Sequence, residues 1–371
     1  MLPDPRAWRT PDADSHLHKL AAASLNGDVA ARASLKLELD ALLESASSDA
    51  VRVLLRDAPS ADCYRHLQQA IAKLVNKPER GEALIARLFA IPLVIVAGTK
   101  KQTVIADALP DIAAVSALLE QHGVLGAGRN FGLGNALCSM ETLDCLAPRL
   151  LRQWAAQLRT GGAPLELAGS AFDVAPGREQ VVLRFLVGAS VVPAHVPSVI
   201  ESGPNIGNVG KWGIPMTQLL AQQLAQPGLD ILPIPRAPVS IYLAADVGRS
   251  AQVELAFSLF LSNAVRQFRL AVGDPAVVLS AHRGNEGEGG AEYRVSLSSV
   301  FDESMLEGFR WPLYPGDDHI EIINKINSLL DECRLNDRRA LALVAADLNV
   351  RGGRFLSGRD FDQLEAAPRT H

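Results

Sequence analysis

The segment SAQVELAFSLFLSNAVRQFRL (residues 250–270) is followed by VVLSA (277–281) and EYRVSLS (292–298), and the fold prediction starts from these three stretches. In the first, apolar residues recur at i, i+4, i+7 and i+8, which predicts a long helix with a broad apolar face. In the third, apolar and polar residues alternate, which is typical of a sheet with one wet face. A glycine-rich loop (283–290) separates the two strands, so an antiparallel hairpin is the simplest connection.

Before these stretches, the sequence first shows helical spacing and then strands that alternate with helices. Residues 12–90 carry apolar side chains at helical spacing, and their third helix is expected from about Glu79 to Phe89. Short apolar runs then alternate with helical stretches. They predict strands at Leu93–Ala97, Gln180–Val187 and Val239–Ala244, the first of them buried on both faces.

The order of these elements predicts an α/β architecture, with a mixed α+β arrangement as an alternative. A helical N-terminal part precedes strand–helix alternation that includes at least one antiparallel hairpin. The predicted domains are a helical region (1–90), an α/β domain (91–200), a second α/β domain or half (201–350) and a mobile tail (351–371). The boundary near residue 200 rests on a long connection rich in proline and glycine, which could equally be a functional loop.

Composition excludes several classes of protein. The 371 residues are 48% hydrophobic, so the chain is neither disordered nor a disulfide-stapled mini-protein. A formal net charge of −5 argues against nucleic-acid binding, because nucleic-acid-binding proteins are usually basic. The longest apolar stretch, 88–97, is about half a membrane span and contains a proline, so no membrane association is expected.

The cysteines and the N-terminus predict a compartment. Cys63, Cys138, Cys145 and Cys333 form neither a CxxC pair nor a metal-ligand spacing, which fits a reducing environment. The first residues lack a basic region followed by an apolar one, so a signal peptide is not expected. We therefore expect a soluble protein of the cytoplasm.

A glycine-rich segment is the first candidate site. Gly203, Gly207 and Gly210 precede Lys211 ahead of a predicted helix, an arrangement that could present backbone N–H groups and a lysine to a phosphate. The segment departs from the P-loop motif, because it lacks the first glycine and the hydroxyl residue after the lysine. The competing interpretation is a linker. Asp246, placed after a predicted strand, resembles the acidic strand end that holds magnesium in nucleotide-binding proteins, but Asp347 after residues 341–346 does so equally well, so the pattern is not specific.

Two histidines form the second candidate site. His16 and His18 stand two residues apart, and imidazoles at this spacing on a strand share a face and can bind one metal ion. The following residues look helical, however, and i and i+2 diverge on a helix. The competing interpretation is an exposed helix start capped by Asp14 or Ser15.

A third candidate is a contact surface for a partner. Arg310, Trp311 and Tyr314 lie in an aromatic cluster in a chain with few aromatic residues, and these residue types dominate interface hot spots. The alternative is a loop that covers a sheet edge.

No catalytic signature is recognisable, including the G-x-S-x-G elbow and local cysteine motifs. The leading hypothesis is a non-catalytic binding or assembly protein that acts through protein–protein contacts, with a protein partner or a homo-oligomer and no cofactor. The first alternative is a nucleotide- or phosphate-binding enzyme or switch that uses the loop at 203–213. The second is a metal-dependent hydrolase centred on His16 and His18.

Overall fold

A computed structural model defines the fold. The residues that it describes are 15–44, 48–75, 84–125, 130–139, 143, 154, 157–158, 165–167, 169–177, 179–193, 209–267, 275–283, 291–299, 305–314, 316–335 and 338–341. Two compact units divide the chain. The N-unit comprises Ser15–Asp57 and Cys63–Gln252, and the C-unit comprises Val253–His371 together with Met1–Asp14 and Ala58–Asp62.

Helices come first in the chain, and strands then alternate with further helices. In chain order, the elements before residue 241 are α1 (His16–Leu25), α2 (Val29–Glu44), α3 (Ser48–Arg56), α4 (Ala61–Val75), β1 (Leu84–Thr99), β2 (Thr103–Ile105), α5 (Ile112–Gln121), β3 (Asn130–Cys138), β4 (Phe172–Val174), β5 (Gln180–Pro193), α6 (Val209–Leu224), β6 (Leu229–Pro235) and β7 (Val239–Ser240). The later elements are α7 (Ile241–Gln267), β8 (Pro275–Arg283), β9 (Ala291–Ser299), β10 (Met305–Pro312), α8 (His319–Glu332) and β11 (Arg338–Leu341).

The main sheet of the N-unit is antiparallel, with the strand order β3-β5-β1-β6. β1 pairs with β5 along most of its length, while β6 and then β7 pair with its other edge. Pro92 lies within this central strand, where a proline removes a ladder hydrogen bond. The main-chain nitrogen and carbonyl of Pro92 point toward the gap between β6 and β7. The carbonyl accepts a hydrogen bond from the Arg236 N–H (2.8 Å). The gap therefore makes the proline tolerable.

Both faces of this sheet are covered. α5 and α6 pack on one face in a core that includes Phe89, Ile91 and Trp212. α7 approaches the other face closely, because a Cβ at Gly248 would lie only 2.8 Å from a methyl group of Leu183. A strand covered on both sides must be apolar at every position, which explains the continuous apolar run that identified β1.

The helices α1–α4 enclose a core of their own within the N-unit, formed by Ala21, Leu35, Leu39, Leu54, Cys63, Leu67 and Ile71. α1 and α2 form a hairpin whose turn contains Gly27 at a φ of 92°, a conformation that favours glycine. Ser15 caps α1, since its hydroxyl accepts a hydrogen bond from the His18 N–H. Asp28 caps α2 in the same way through the N–H groups of Ala30 and Ala31.

The C-unit contains a second sheet with the order β10-β9-β8-β11. β8 and β9 form the predicted antiparallel hairpin, and β11 pairs with β8 in parallel. One face of this sheet packs against α8 and against the part of α7 after Val253, in a core that includes Phe257, Tyr293 and Trp311. Asp318 caps α8, since its side chain accepts hydrogen bonds from the N–H groups of Ile320 and Glu321.

The predicted fold class is confirmed, because the described residues form N-terminal helices followed by strand–helix alternation with antiparallel sheets. Two element predictions are wrong. The helix expected from Glu79 to Phe89 is replaced from Leu84 onward by β1, whose pairing with β5 overrides local periodicity. The strand expected at Val239–Ala244 ends at Ser240, and α7 begins at the next residue.

The predicted domain boundaries differ from the division of the structure. β1 runs through the boundary placed at residue 90, and the two compact units divide at residue 252, within α7. The predicted tail, 351–371, lies outside the described residues. Among the helices that are described, none has the length and apolar character needed to cross a membrane.

Candidate functional site

A partly buried polar cluster joins α4 to α7 within the N-unit. Tyr64 and Gln68 lie one turn apart on α4, and Asp246 and Arg249 lie one turn apart on α7. The Tyr64 hydroxyl donates to Asp246 Oδ1 (2.7 Å), and Gln68 Nε2 donates to the Tyr64 hydroxyl (2.8 Å) and to Asp246 Oδ2 (3.0 Å). Arg249 also donates to Asp246 Oδ1. The carboxylate is therefore the acceptor that holds the cluster together.

The electrostatics of the cluster suit a structural role. Burial, together with the negative charge of Asp246, raises the pKa of Tyr64, so its phenol stays protonated and keeps donating. The Arg249 guanidinium offsets the charge of the carboxylate. Because the four side chains bond to one another, the cluster fixes α4 against α7. A general base would instead need an acceptor directed at a substrate.

The outer surface of α2 carries an unusual apolar row. Val29, Ala33, Leu37 and Ala41 follow i, i+4, i+8 and i+12, and all four are exposed. Val29 is 75% exposed and Leu37 is 71% exposed. The inner stripe of the same helix, which includes Leu35, packs into the helical core. We call the exposed set the α2 outer row.

Buried thiols carry little nucleophilic character. Burial raises the pKa of Cys138 to about 12, so its thiolate is scarce at neutral pH. Cys63 lies in the core of α1–α4. Within the described ranges, no group of three His, Cys, Asp or Glu residues is placed to hold a metal ion.

The structure describes only part of the glycine-rich phosphate candidate. α6 begins at Val209, so Gly210 and Lys211 lie in its first turn, and both are exposed. The neighbouring Trp212 packs into the core of the N-unit. Gly203 and Gly207 lie outside the described residues, so the complete loop stays a prediction.

The two histidines of the second candidate diverge. His16 is exposed, and its Nε2 lies 3.0 Å from Glu38 Oε1 on α2. His18 is 2% exposed, and its Nε2 donates to the Leu54 carbonyl (2.8 Å) on α3. The helical conformation of α1 separates the two imidazoles, so they do not share a face toward a metal ion, and the competing interpretation of a helix start capped by Ser15 is confirmed.

Two residues of the aromatic candidate, Arg310 and Trp311, lie on β10, and Tyr314 follows the strand. Trp311 is 2% exposed and packs into the core of the C-unit, so the expectation of an exposed tryptophan anchor is wrong. Alternation along β10 turns Arg310 to the other face, where its Nη1 lies 3.8 Å from Glu292 Oε1. The Tyr314 N–H donates to Asp317 Oδ2 (2.7 Å). A role for Arg310 and Tyr314 in partner binding stays a prediction.

Sequence reasoning missed the polar cluster on α4 and α7. Tyr64 and Asp246 are 182 residues apart, and no local motif links them. The expected strand before Asp246 also suggested a different role for this carboxylate. The available signal was the i, i+3 spacing of Asp246 and Arg249, which pairs opposite charges once that segment is recognised as helical.

Comparison with known proteins adds no further assignment, since no family model, curated protein or solved structure matches the chain.

Proposed function

We propose that this chain is a non-catalytic binding or assembly protein that works through contacts with protein surfaces. The observation that carries the proposal is the α2 outer row. An amphipathic surface helix normally has one apolar stripe, directed at its own core, and a polar opposite face. α2 has an inner stripe that includes Leu35 and Leu39, and it also has the exposed row from Val29 to Ala41.

The exposed row has the form of a helix-packing ridge. Residues at i and i+4 form the ridges that fit between the side chains of a neighbouring helix. Large side chains at Val29 and Leu37 alternate with the small Ala33 and Ala41, which allows a partner backbone to come close. Burying such side chains contributes about 25 cal/mol of free energy per Å² of apolar surface, so a complex with a partner surface would be stabilised there.

The chemistry of the buried groups supports a binding role over a catalytic one. Burial raises the pKa of both Tyr64 and Cys138, which moves each group away from its nucleophilic form. Catalytic sites usually lower the pKa of a nucleophilic hydroxyl or thiol instead. The Asp246 carboxylate accepts hydrogen bonds from Tyr64, Gln68 and Arg249, which stabilise the contact between α4 and α7.

The edges of the N-unit sheet favour binding through side chains over strand addition. On β6, Pro233 and Pro235 occupy positions whose N–H would point away from β1, since the Arg236 N–H points toward it. Two prolines on an edge prevent another strand from pairing there. At the opposite edge, β3 bonds to its neighbouring segments through Leu109 and Leu165.

A cross-linking experiment tests the proposal. A photo-reactive benzoylphenylalanine at position 37 should capture a specific protein in cells, and the pair should re-form from purified components. Leu37→Glu should weaken that complex at least tenfold, because it places a charge in an apolar contact. Val104→Glu is the matched control, since Val104 is also an exposed aliphatic residue of the N-unit.

The opposite outcome would favour the phosphate-ligand alternative. If position 37 captures nothing, while ATP or GTP raises the melting temperature and Lys211→Ala removes that shift, the binding proposal is wrong. If neither experiment responds, the α2 outer row has no partner role.

A further inference from the structure

The turn between α1 and α2 contains an asparagine followed by a glycine, Asn26–Gly27, the one such pair in the sequence. Asn26 is the C-cap of α1, and both residues of the pair are exposed. The Asn26 side chain makes no hydrogen bond with the part of the chain that the structure describes. Its amide group is therefore accessible to water and free to change rotamer.

The conformation of this turn requires the glycine. Gly27 has a φ of 92°, which residues with a side chain rarely adopt. A Cβ at this position would meet no atom within 4 Å, so the space around the Gly27 main chain is open. Glycine has no side chain that could shield its main-chain nitrogen from the Asn26 amide. The residue that the turn needs is therefore also the neighbour that leaves an asparagine most reactive.

We propose that Asn26 is a site of spontaneous deamidation, which proceeds when the turn between α1 and α2 opens. Hydroxide removes the Gly27 amide proton, and the nitrogen attacks Asn26 Cγ. The bond from Cγ to the side-chain nitrogen breaks, and this nitrogen takes protons from water and leaves as ammonia. Water then adds to one of the two carbonyls of the resulting succinimide ring and breaks the bond from that carbonyl carbon to the Gly27 nitrogen. Opening at Cγ gives aspartate, and opening at the main-chain carbonyl gives isoaspartate.

The folded turn controls the rate of this reaction. At the ψ of 7° that Asn26 adopts, the Gly27 nitrogen lies beside the main-chain nitrogen of Asn26 and is turned away from Cβ. The Gly27 N–H also donates to the Ser24 carbonyl (3.1 Å). Ring closure needs rotation about ψ and the loss of that hydrogen bond, so it starts from a locally open turn, which a helix end reaches easily. One net hydrogen bond corresponds to a roughly two- to tenfold slower reaction than in the unfolded chain.

The products should loosen the α1–α2 hairpin. Both add a negative charge at the C-terminal end of α1, where the helix dipole disfavours it. Isoaspartate also adds one methylene group to the main chain between positions 26 and 27. This insertion displaces Asp28, whose carboxylate accepts hydrogen bonds from the N–H groups of Ala30 and Ala31. The modified chain should therefore hold the cap of α2 less firmly.

Peptide mass spectrometry of the folded chain, aged in mildly alkaline buffer, tests the site. The peptide that contains Asn26 should gain the mass difference between an OH and an NH2 group, and isoaspartyl methyltransferase should label it. Asn26→Gln should remove both signals, because a glutamine must close a larger ring. Asn263, exposed on α7 and followed by Ala264, is the internal control and should stay unmodified. An unchanged Asn26 peptide, a product without isoaspartate, or equal modification of Asn263 overturns the proposal.

The same measurement in guanidinium chloride tests the role of the turn. The unfolded chain should react roughly two- to tenfold faster than the folded chain. Hydrogen exchange at the start of α2 should be faster in the aged parent chain than in aged Asn26→Gln. Equal rates in the folded and unfolded chains, or unchanged exchange after modification, would contradict the control by the turn and its loosening. Neither measurement requires a binding partner, so the result is independent of the proposed function.

Discussion

The two sheets of the molecule differ in what their faces meet. In the N-unit, α5 and α6 cover one face of the sheet, and α7 covers the other, so β1 and β5 are apolar at nearly every position. In the C-unit, alternate residues of β9 enter the core, while Glu292 and Arg294 pair with each other on the opposite face. A continuous apolar run therefore indicates a sheet with apolar packing on both faces, and alternation indicates one apolar and one polar face. The prediction that the polar face of β9 is wet is wrong, because Arg294 is 7% exposed and Ser296 is 1% exposed.

The largest expected effect is at Gly188 in the N-unit sheet. A Cβ there would lie 2.5 Å from the Phe89 ring and 2.7 Å from the carbonyl oxygen of Gly132, and the backbone atom cannot move aside. We expect Gly188→Ala to lower the free energy of unfolding by about 3 kcal/mol. Chemical unfolding followed by circular dichroism measures the change.

Gly98→Ala on β1 is the matched control, because its nearest neighbour would be the Glu179 Cγ at an ordinary 3.6 Å. Equal stability of the two variants would show that the sheet is not packed as tightly as described.

The next effect concerns the apolar face of the C-unit sheet. Leu297 on β9 is fully buried, and Leu297→Ala should cost about 2–5 kcal/mol through lost burial and the cavity left behind. Ile320→Ala on α8 is the control, since Ile320 is 46% exposed and should change stability by about 0.5 kcal/mol or less. Hydrogen exchange should show faster exchange in β8 and β9 for Leu297→Ala. Similar losses from both changes would contradict the assigned core face.

A smaller effect is expected where helices join the N-unit sheet. Tyr64→Phe removes the hydroxyl that donates to Asp246 and accepts from Gln68, while the ring keeps its packing. We expect a loss of about 1–2 kcal/mol, because the buried Gln68 and the partly exposed Asp246 each lose a partner. Gln69→Ala, at an exposed position of α4, is the control. A Tyr64→Phe variant as stable as the parent would show that the cluster does not hold α4 in place.

The smallest expected effect is a pH dependence that differs between the units. Partial burial, with Arg32 and Lys73 nearby, lowers the pKa of His66 in the N-unit, so the folded state favours the neutral imidazole. The contribution of the neutral imidazole to stability is complete above the unfolded-state pKa of about 6.5, and it is lost as pH falls from there through the lower folded-state pKa. In the C-unit, the carboxylates of Glu254 and Glu321 raise the pKa of Lys325 despite the opposing effect of its burial.

The stabilising contribution of Lys325 is therefore present below its ordinary pKa of about 10.4 and is lost as pH rises through the higher folded value. Unfolding measured against pH should show a weaker acid dependence for His66→Gln and a weaker alkaline dependence for Lys325→Met. An unchanged profile in either variant would contradict the assignment for that residue.

Much of the fold could be read from local pattern because the relevant information lies within a few residues. The broad apolar face of α7 after Val253, the hairpin of β8 and β9, and the cap at Asp318 each depend on neighbours along the chain. The same reasoning anticipated the helical start at Ser15, which prevents His16 and His18 from sharing a face. The α2 outer row is also visible in the sequence as apolar residues four positions apart. Only the exposure of these side chains in the structure distinguishes the row from a core stripe.

Contacts between distant segments settled the remainder. The pairing of Leu84–Ala90 with Pro193–Val187 turned an apparent helix into the first half of β1, because sheet hydrogen bonds outweigh local propensity. The meeting of Tyr64 with Asp246 arises from the packing of α4 on α7, and no spacing in the sequence encodes it. Local chemistry therefore specifies which elements form, whereas burial and long-range hydrogen bonds specify which polar groups meet and which apolar rows remain exposed.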